Sequence, residues 1–180
     1  MTTTGRRQGV KIYRGQDSPS LADTDFMYTA PMSDETQTAV TATLTNDASL
    51  GAQLRVLLRQ APEEGGFSLI HIWFKPHYPL LRHSHNVDCM YYVISGSAIM
   101  GSQTLQAGDS FFVPADAPYL YTAGPTGVEV LEIRHGVDQF GIKISDATPD
   151  QWRALSETFA EHRADWAKLD VAPTFAGRAD

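Results

Sequence analysis

Cysteine is almost absent from this sequence. One residue of 180, Cys89, carries a thiol, so no internal disulfide framework holds the chain together. That composition fits a reducing compartment. Long apolar runs are missing too, and nothing approaches the ~20 residues that a membrane-spanning helix needs. Basic residues are outnumbered, with 14 Lys and Arg against 21 Asp and Glu, and the net charge is −7. A polyanion such as nucleic acid is therefore not an expected partner. The opening MTTTGRRQGVK has positive charge but no apolar stretch behind it, so it does not read as a secretory signal. The expectation is a soluble, cytoplasmic protein with no nucleic-acid and no membrane partner.

What is present is a globular composition of a length suited to one domain. Residues 1–50 are polar, without a sustained period, and read as an N-terminal arm in which residues 10–13 and 26–29 are edge-strand candidates. From Gln53 the texture changes. The runs "AQLRVLLRQ", "FSLIHIWFKP", "CMYYVI", "AIM", "QTLQ", "SFFV", "YLYT" and "GVEVLEIRHG" read as strands punctuated by Gly, Pro and Asp. Within them, residues 95–97 read as a turn and Gly101-Ser102 as a hairpin turn. Many short punctuated strands indicate an antiparallel sandwich or barrel, placed here at residues 51–145. Residues 146–180 read as a helix and tail. Thr148-Pro149-Asp150-Gln151 forms a capping-box pattern, and Trp152, Leu155, Phe159, His162 and Trp166 recur at helical spacing as a stripe that packs on the barrel.

The chemistry concentrates in "RHSHNVDCMYYVISG". His83 and His85 alternate on one strand, so both imidazoles project from the same face. Paired imidazoles suit Zn, Cu, Fe or Ni. Cys89 follows four residues later.

This stretch resembles the first motif of the cupin family, and "GDSFFVPADAPYLYTAG" resembles the second. In the first, His83, His85 and Gly96 match, while Cys89 stands at the family's glutamate position. In the second, Gly108 and Pro114 match, Asp116 replaces an inner glycine, and Tyr119 stands at the histidine position. The resemblance covers residues 54–134. It implies an all-β fold, a double-stranded β-helix (jelly-roll) barrel, with one divalent transition metal (Fe, Zn, Cu or Ni) per chain and assembly as a homodimer. It also implies a metal-dependent enzyme acting on a small organic substrate, with dioxygenase-type cleavage as the leading chemistry. A Lewis-acid lyase or isomerase, and a non-catalytic small-molecule binder, are the alternatives.

Around the metal ligands His83 and His85, several roles stay open. Cys89 is a third ligand or a buried apolar residue. Tyr119 is a ligand, a proton donor to substrate, or part of an apolar cavity lining. Tyr121 shares its strand face and its alternatives. Glu132 is a general base in the cavity or the ion-pair partner of Arg134 or Arg82. His71 completes a three-histidine set or sits satisfied in the core. His77 and His135, at strand ends, read as ordinary, and Asp88 points away from Cys89. Of the aromatic residues Trp73, Phe74, Tyr91, Tyr92, Phe111, Phe112, Tyr119 and Tyr121, half are expected to line a pocket for an apolar or aromatic molecule.

Overall fold

The computed structural model describes residues 9–44 and 47–177. Nine strands and three α-helices are found among them. Strands β1 (Met27–Thr29), β4 (His83–His85) and β9 (Phe140–Ile144) form a three-stranded sheet in the order β1-β9-β4. The larger sheet has the order β2-β3-β8-β5-β6, with β7 on β5. Its strands are β2 (Ala52–Arg59), β3 (Ser68–Phe74), β5 (Cys89–Met100), β6 (Gln103–Gln106), β7 (Ser110–Val113) and β8 (Thr122–Arg134). The fold is a jelly-roll barrel closed by these two sheets, with a C-terminal helix, α3 (Pro149–Trp166), packed on it.

Period-two alternation builds the interior. On β5, Cys89, Tyr91 and Val93 are buried while Met90 and Tyr92 are exposed. On β8, Val128, Val130, Glu132 and Arg134 are all buried and share the inward face. Register then sets neighbours across strands: Tyr91 stands opposite Glu132, which brings Cys89 alongside Arg134.

The expected turn at residues 95–97 is not one. β5 runs unbroken through it, and the glycine and small residues there make two register shifts against β8 instead. Gly96 adopts φ +69°, and a Cβ on it would meet the Gly127 carbonyl oxygen. Gly96→Ala therefore combines left-handed strain with a backbone clash. It should cost about 3 kcal/mol and lower the thermal midpoint by about 10 °C, a shift readable by calorimetry.

Two further expectations are corrected. Residues 119–122 do not form a separate strand. Tyr119 makes only a two-bond bridge to His83, and β8 starts at Thr122. The segment before residue 50 is more than an arm. Residues 10–13 form no strand, but β1 pairs in parallel with β9, and two helices follow it, α1 (Asp34–Thr43) and α2 (Asp47–Leu50). Ser33 caps α1 by accepting the Thr36 N–H, and Asp146, just past β9, accepts from both the Ser33 and Thr36 hydroxyls. The segment is thus hydrogen-bonded into the barrel wall.

The C-terminal helix carries the anticipated capping box at Thr148 and Gln151. Phe159 and Trp166 of its stripe are fully buried against Tyr78. Beyond it, the turn Pro173–Phe175 folds back over the outer face of the large sheet. There Glu129 accepts from His71 (2.9 Å), from the Ser95 hydroxyl (2.6 Å) and from the Thr174 amide (3.1 Å), and Phe175 packs on the His71 ring.

Candidate active site

Each sheet supplies half of the site. The small sheet brings His83 and His85, buried on β4. The large sheet brings Cys89 and Tyr91 from β5 and Glu132 and Arg134 from β8. All three strands point these side chains inward.

Both imidazoles are fixed from behind. His83 Nδ1 lies 2.7 Å from the Leu81 carbonyl oxygen, and His85 Nδ1 lies 3.0 Å from that of Gly141. A carbonyl only accepts, so each Nδ1 carries the proton and each Nε2 carries a lone pair. This is the arrangement that orients histidine for a metal. Burial, helped by the nearby Arg134 charge, pushes His83 down to about 4 and His85 to about 3, so both rings are neutral at pH 7.

A hydrogen-bond chain ends on His83. Since Nε2 has no proton, the Tyr119 hydroxyl donates to it at 3.0 Å, and the Tyr91 hydroxyl in turn donates to Tyr119 at 2.6 Å. Burial pushes both phenols well above their ordinary range, so they stay protonated donors. The sequence places Tyr91 among the barrel aromatics expected to line the pocket but gives it no role on the histidines. Its alternation with Cys89 was the available signal, masked by an aromatic run in which every residue looked like core.

Cys89 donates to the Val87 carbonyl at 3.4 Å, and burial pushes its thiol up against the pull of Arg134. Glu132 is ion-paired with Arg134, one of the two partners expected for it. The ligand atoms of His85, Cys89 and Glu132 lie within 4.8 Å of one another. Donors at ordinary bond lengths around one zinc or iron stand about 3–4.5 Å apart, so this trio suits a metal after small side-chain movements. His83 presents its Nε2 to the same cavity, with Tyr119 on its lone pair.

The remaining candidates are elsewhere. His71 faces the outside of the large sheet and is held by Glu129, so it does not join the histidine pair. His77 stacks on His162, and His135 packs against Phe67. Asp88 accepts the Ala115 amide.

A cavity of about 900 Å³ opens onto the site. His83, His85, Tyr91, Tyr119, Tyr121 and Glu132 line one part of it. Of the eight barrel aromatics, Phe74, Tyr91, Tyr119 and Tyr121 line it, while Tyr92 and Phe112 face outward. Tyr121 is fully buried, edge-on to Phe74 and Phe111. Met27, Met32, Val40 and Leu44, from the segment before residue 50, roof the opposite side. The volume lies near the upper end for small-molecule sites.

No family model matches the sequence, and no curated protein does. Solved structures do. The polyketide cyclase RemF from Streptomyces resistomycificus aligns over 84% of this chain and 99% of its own, with a TM-score of 0.51 at 14% identity. A cupin-like protein from Thermotoga maritima MSB8 covers 59% of this chain and 85% of its own, at TM-score 0.48 and 18% identity. An RmlC-like cupin from Shewanella frigidimarina NCIMB 400 covers 49% and 78%, at TM-score 0.42 and 24% identity. This chain has the cupin fold. As in the resemblance read from its motifs, the His83–His85 strand lies inside the cupin barrel. No helix of the described residues is long and apolar enough to cross a membrane.

Proposed function

We propose that this cupin is a metal-dependent enzyme that moves protons on a small, aromatic or otherwise apolar, oxygen-bearing molecule, in a lyase- or isomerase-type reaction. One observation carries the reading. The Tyr91–Tyr119–His83 hydrogen-bond chain ends in the cavity that His85 and Glu132 line, and the Cys89 thiol lies within 4.8 Å of the donor atoms of both. His83, His85 and Cys89 are the metal ligands in this reading, His83 once the Tyr119 hydroxyl turns from its Nε2 toward substrate, with Glu132 within reach as a further donor or as the base. A divalent metal bound there supplies Lewis acidity toward a substrate oxygen.

The chain's own residues do the rest. Phe74, Tyr121 and the methionines of the roof bind the apolar body of the substrate and exclude water. Tyr119, supported by Tyr91, holds a proton for a substrate oxygen, and Glu132, in the alternative where it is the base and not a ligand, accepts one from carbon or oxygen. RemF, a polyketide cyclase, shares the fold, and a flat oxygenated molecule of that kind suits this lining.

Oxygenative cleavage is the second reading. It is favoured by the inventory of two histidines and one carboxylate, the set that holds iron in oxygenases.

Elemental analysis of untagged protein decides whether a metal centre exists and which reading it serves. The wild type should carry about one metal per chain, and the His83→Ala, His85→Ala double variant should carry none. Zinc favours proton transfer and iron favours oxygen chemistry. A folded wild type that holds no metal and takes none up on reconstitution would sink both readings and leave a ligand-binding barrel.

A further inference from the structure

Arg134 has no part in the reading above, yet it is the one buried arginine among the described residues. Its guanidinium lies over the Phe140 ring, 3.5 Å from the centroid, and pairs with Glu132. Its charge is permanent. The pairing is incomplete. Nη2 of Arg134 meets Oε1 of Glu132, while Nε and Nη1 of the guanidinium are buried without a hydrogen-bond partner. The other buried acid of β8 is a useful contrast: both Glu129 oxygens are engaged, by His71, Ser95 and Thr174. A purely structural ion pair in an interior is expected to look like the Glu129 cluster, because unmet charge there is costly.

The position of the pair is the second observation. Glu132 is also one of three residues whose donor atoms converge within 4.8 Å, and Cys89 sits beside Arg134 by strand register. One carboxylate cannot neutralise a guanidinium and a divalent ion at full strength together, and the guanidinium repels any cation entering the cluster.

We propose that Glu132 is a shared carboxylate, held by Arg134 in the metal-free protein and transferred to the metal on loading, so that Arg134 sets the metal affinity of the site. The proposal rests on the metal-dependent reading. Loading releases the Cys89 proton to solvent as the thiolate becomes a ligand, and it breaks the Glu132–Arg134 contact; no electrons move. Arg134 is thereby a positioning residue for Glu132.

The test is Zn²⁺ affinity by chelator competition at pH 7.5, for the wild type, Arg134→Met, Glu132→Gln and the double variant. Arg134→Met should bind at least 100-fold tighter than wild type, and Glu132→Gln at least 10-fold weaker. The gain from Arg134→Met should shrink at least 10-fold when Glu132 is already glutamine. An unchanged or weaker Arg134→Met, or an equal gain in both backgrounds, overturns the sharing while leaving the metal reading intact. Absence of Zn²⁺ binding in every protein overturns both.

Removing Arg134 leaves Glu132 buried and unpaired, so a wild-type measurement guards against a variant that does not fold. In ¹⁵N-arginine-labelled wild type, the slowest-exchanging Nε–H, that of the buried guanidinium, should shift in step with one equivalent of Zn²⁺. A signal that stays put while Zn²⁺ binds also overturns the sharing.

Discussion

Acidification from pH 7.5 to pH 4.5 should remove about 5 kcal/mol from the stability of the metal-free protein, a large part of what holds a domain this size folded. The cause is the pair His83 and His85. Their folded values, about 4 and about 3, lie below the unfolded value near 6.5. Between those limits the unfolded chain binds more protons than the folded one, so stability rises with pH. The contribution is complete above about pH 6.5. It is lost as pH falls, at about 1.4 kcal/mol per unit for each imidazole, until the folded rings titrate. Urea unfolding with chelator present, at pH 7.5, 6.0, 5.0 and 4.5, reads this directly. His85→Gln should halve the slope. A flat profile over this window would mean that the rings are not held neutral inside the barrel.

Glu129→Ala is the substitution expected to damage the fold most outside the cavity. The carboxylate is fully buried on the outer face of the large sheet, and it is the acceptor for His71, the Ser95 hydroxyl and the Thr174 amide. Burial works against its charge, but those hydrogen bonds together hold its carboxyl below the usual range. Alanine leaves three polar groups without their acceptor and cuts the turn Pro173–Phe175 loose. The cost should be about 3–5 kcal/mol, or a fall of at least 10 °C in thermal midpoint. Limited proteolysis should then cut near residue 175 in the variant and not in the wild type. Glu129→Gln retains an acceptor oxygen for Ser95 or Thr174 and should recover part of the loss. A midpoint within 3 °C of wild type for Glu129→Ala would contradict the cluster's role.

The sequence was most readable where a short-range rule applies. Period-two alternation put His83 and His85 on one inward face, and the capping box at Thr148 marked the start of the long helix to the residue. It was least readable where pairing spans the chain. The parallel match of Met27 with Phe140 joins segments more than a hundred residues apart, and no local pattern announces it. β9 went unread for the same reason. The helix Asp34–Thr43 did leave a local trace, a serine cap followed by two acids, but its polar face has no apolar period to draw the eye. The site followed the same division. The histidine pair needed only alternation. The meeting of Cys89 with Glu132 and Arg134 depends on register between β5 and β8, and a one-residue slip would turn either Cys89 or the Glu132 and Arg134 pair outward.

The small sheet ties the cavity wall to the histidine pair. Gly141 of β9 pairs with Tyr28 of β1, and the same residue supplies the carbonyl that fixes His85. β1 also carries Met27 and Thr29 into the cavity wall. The cavity wall at β1 and the carbonyl that aims the His85 imidazole are therefore one piece of hydrogen-bonded backbone, so a displacement of β1 is carried directly to the orientation of His85.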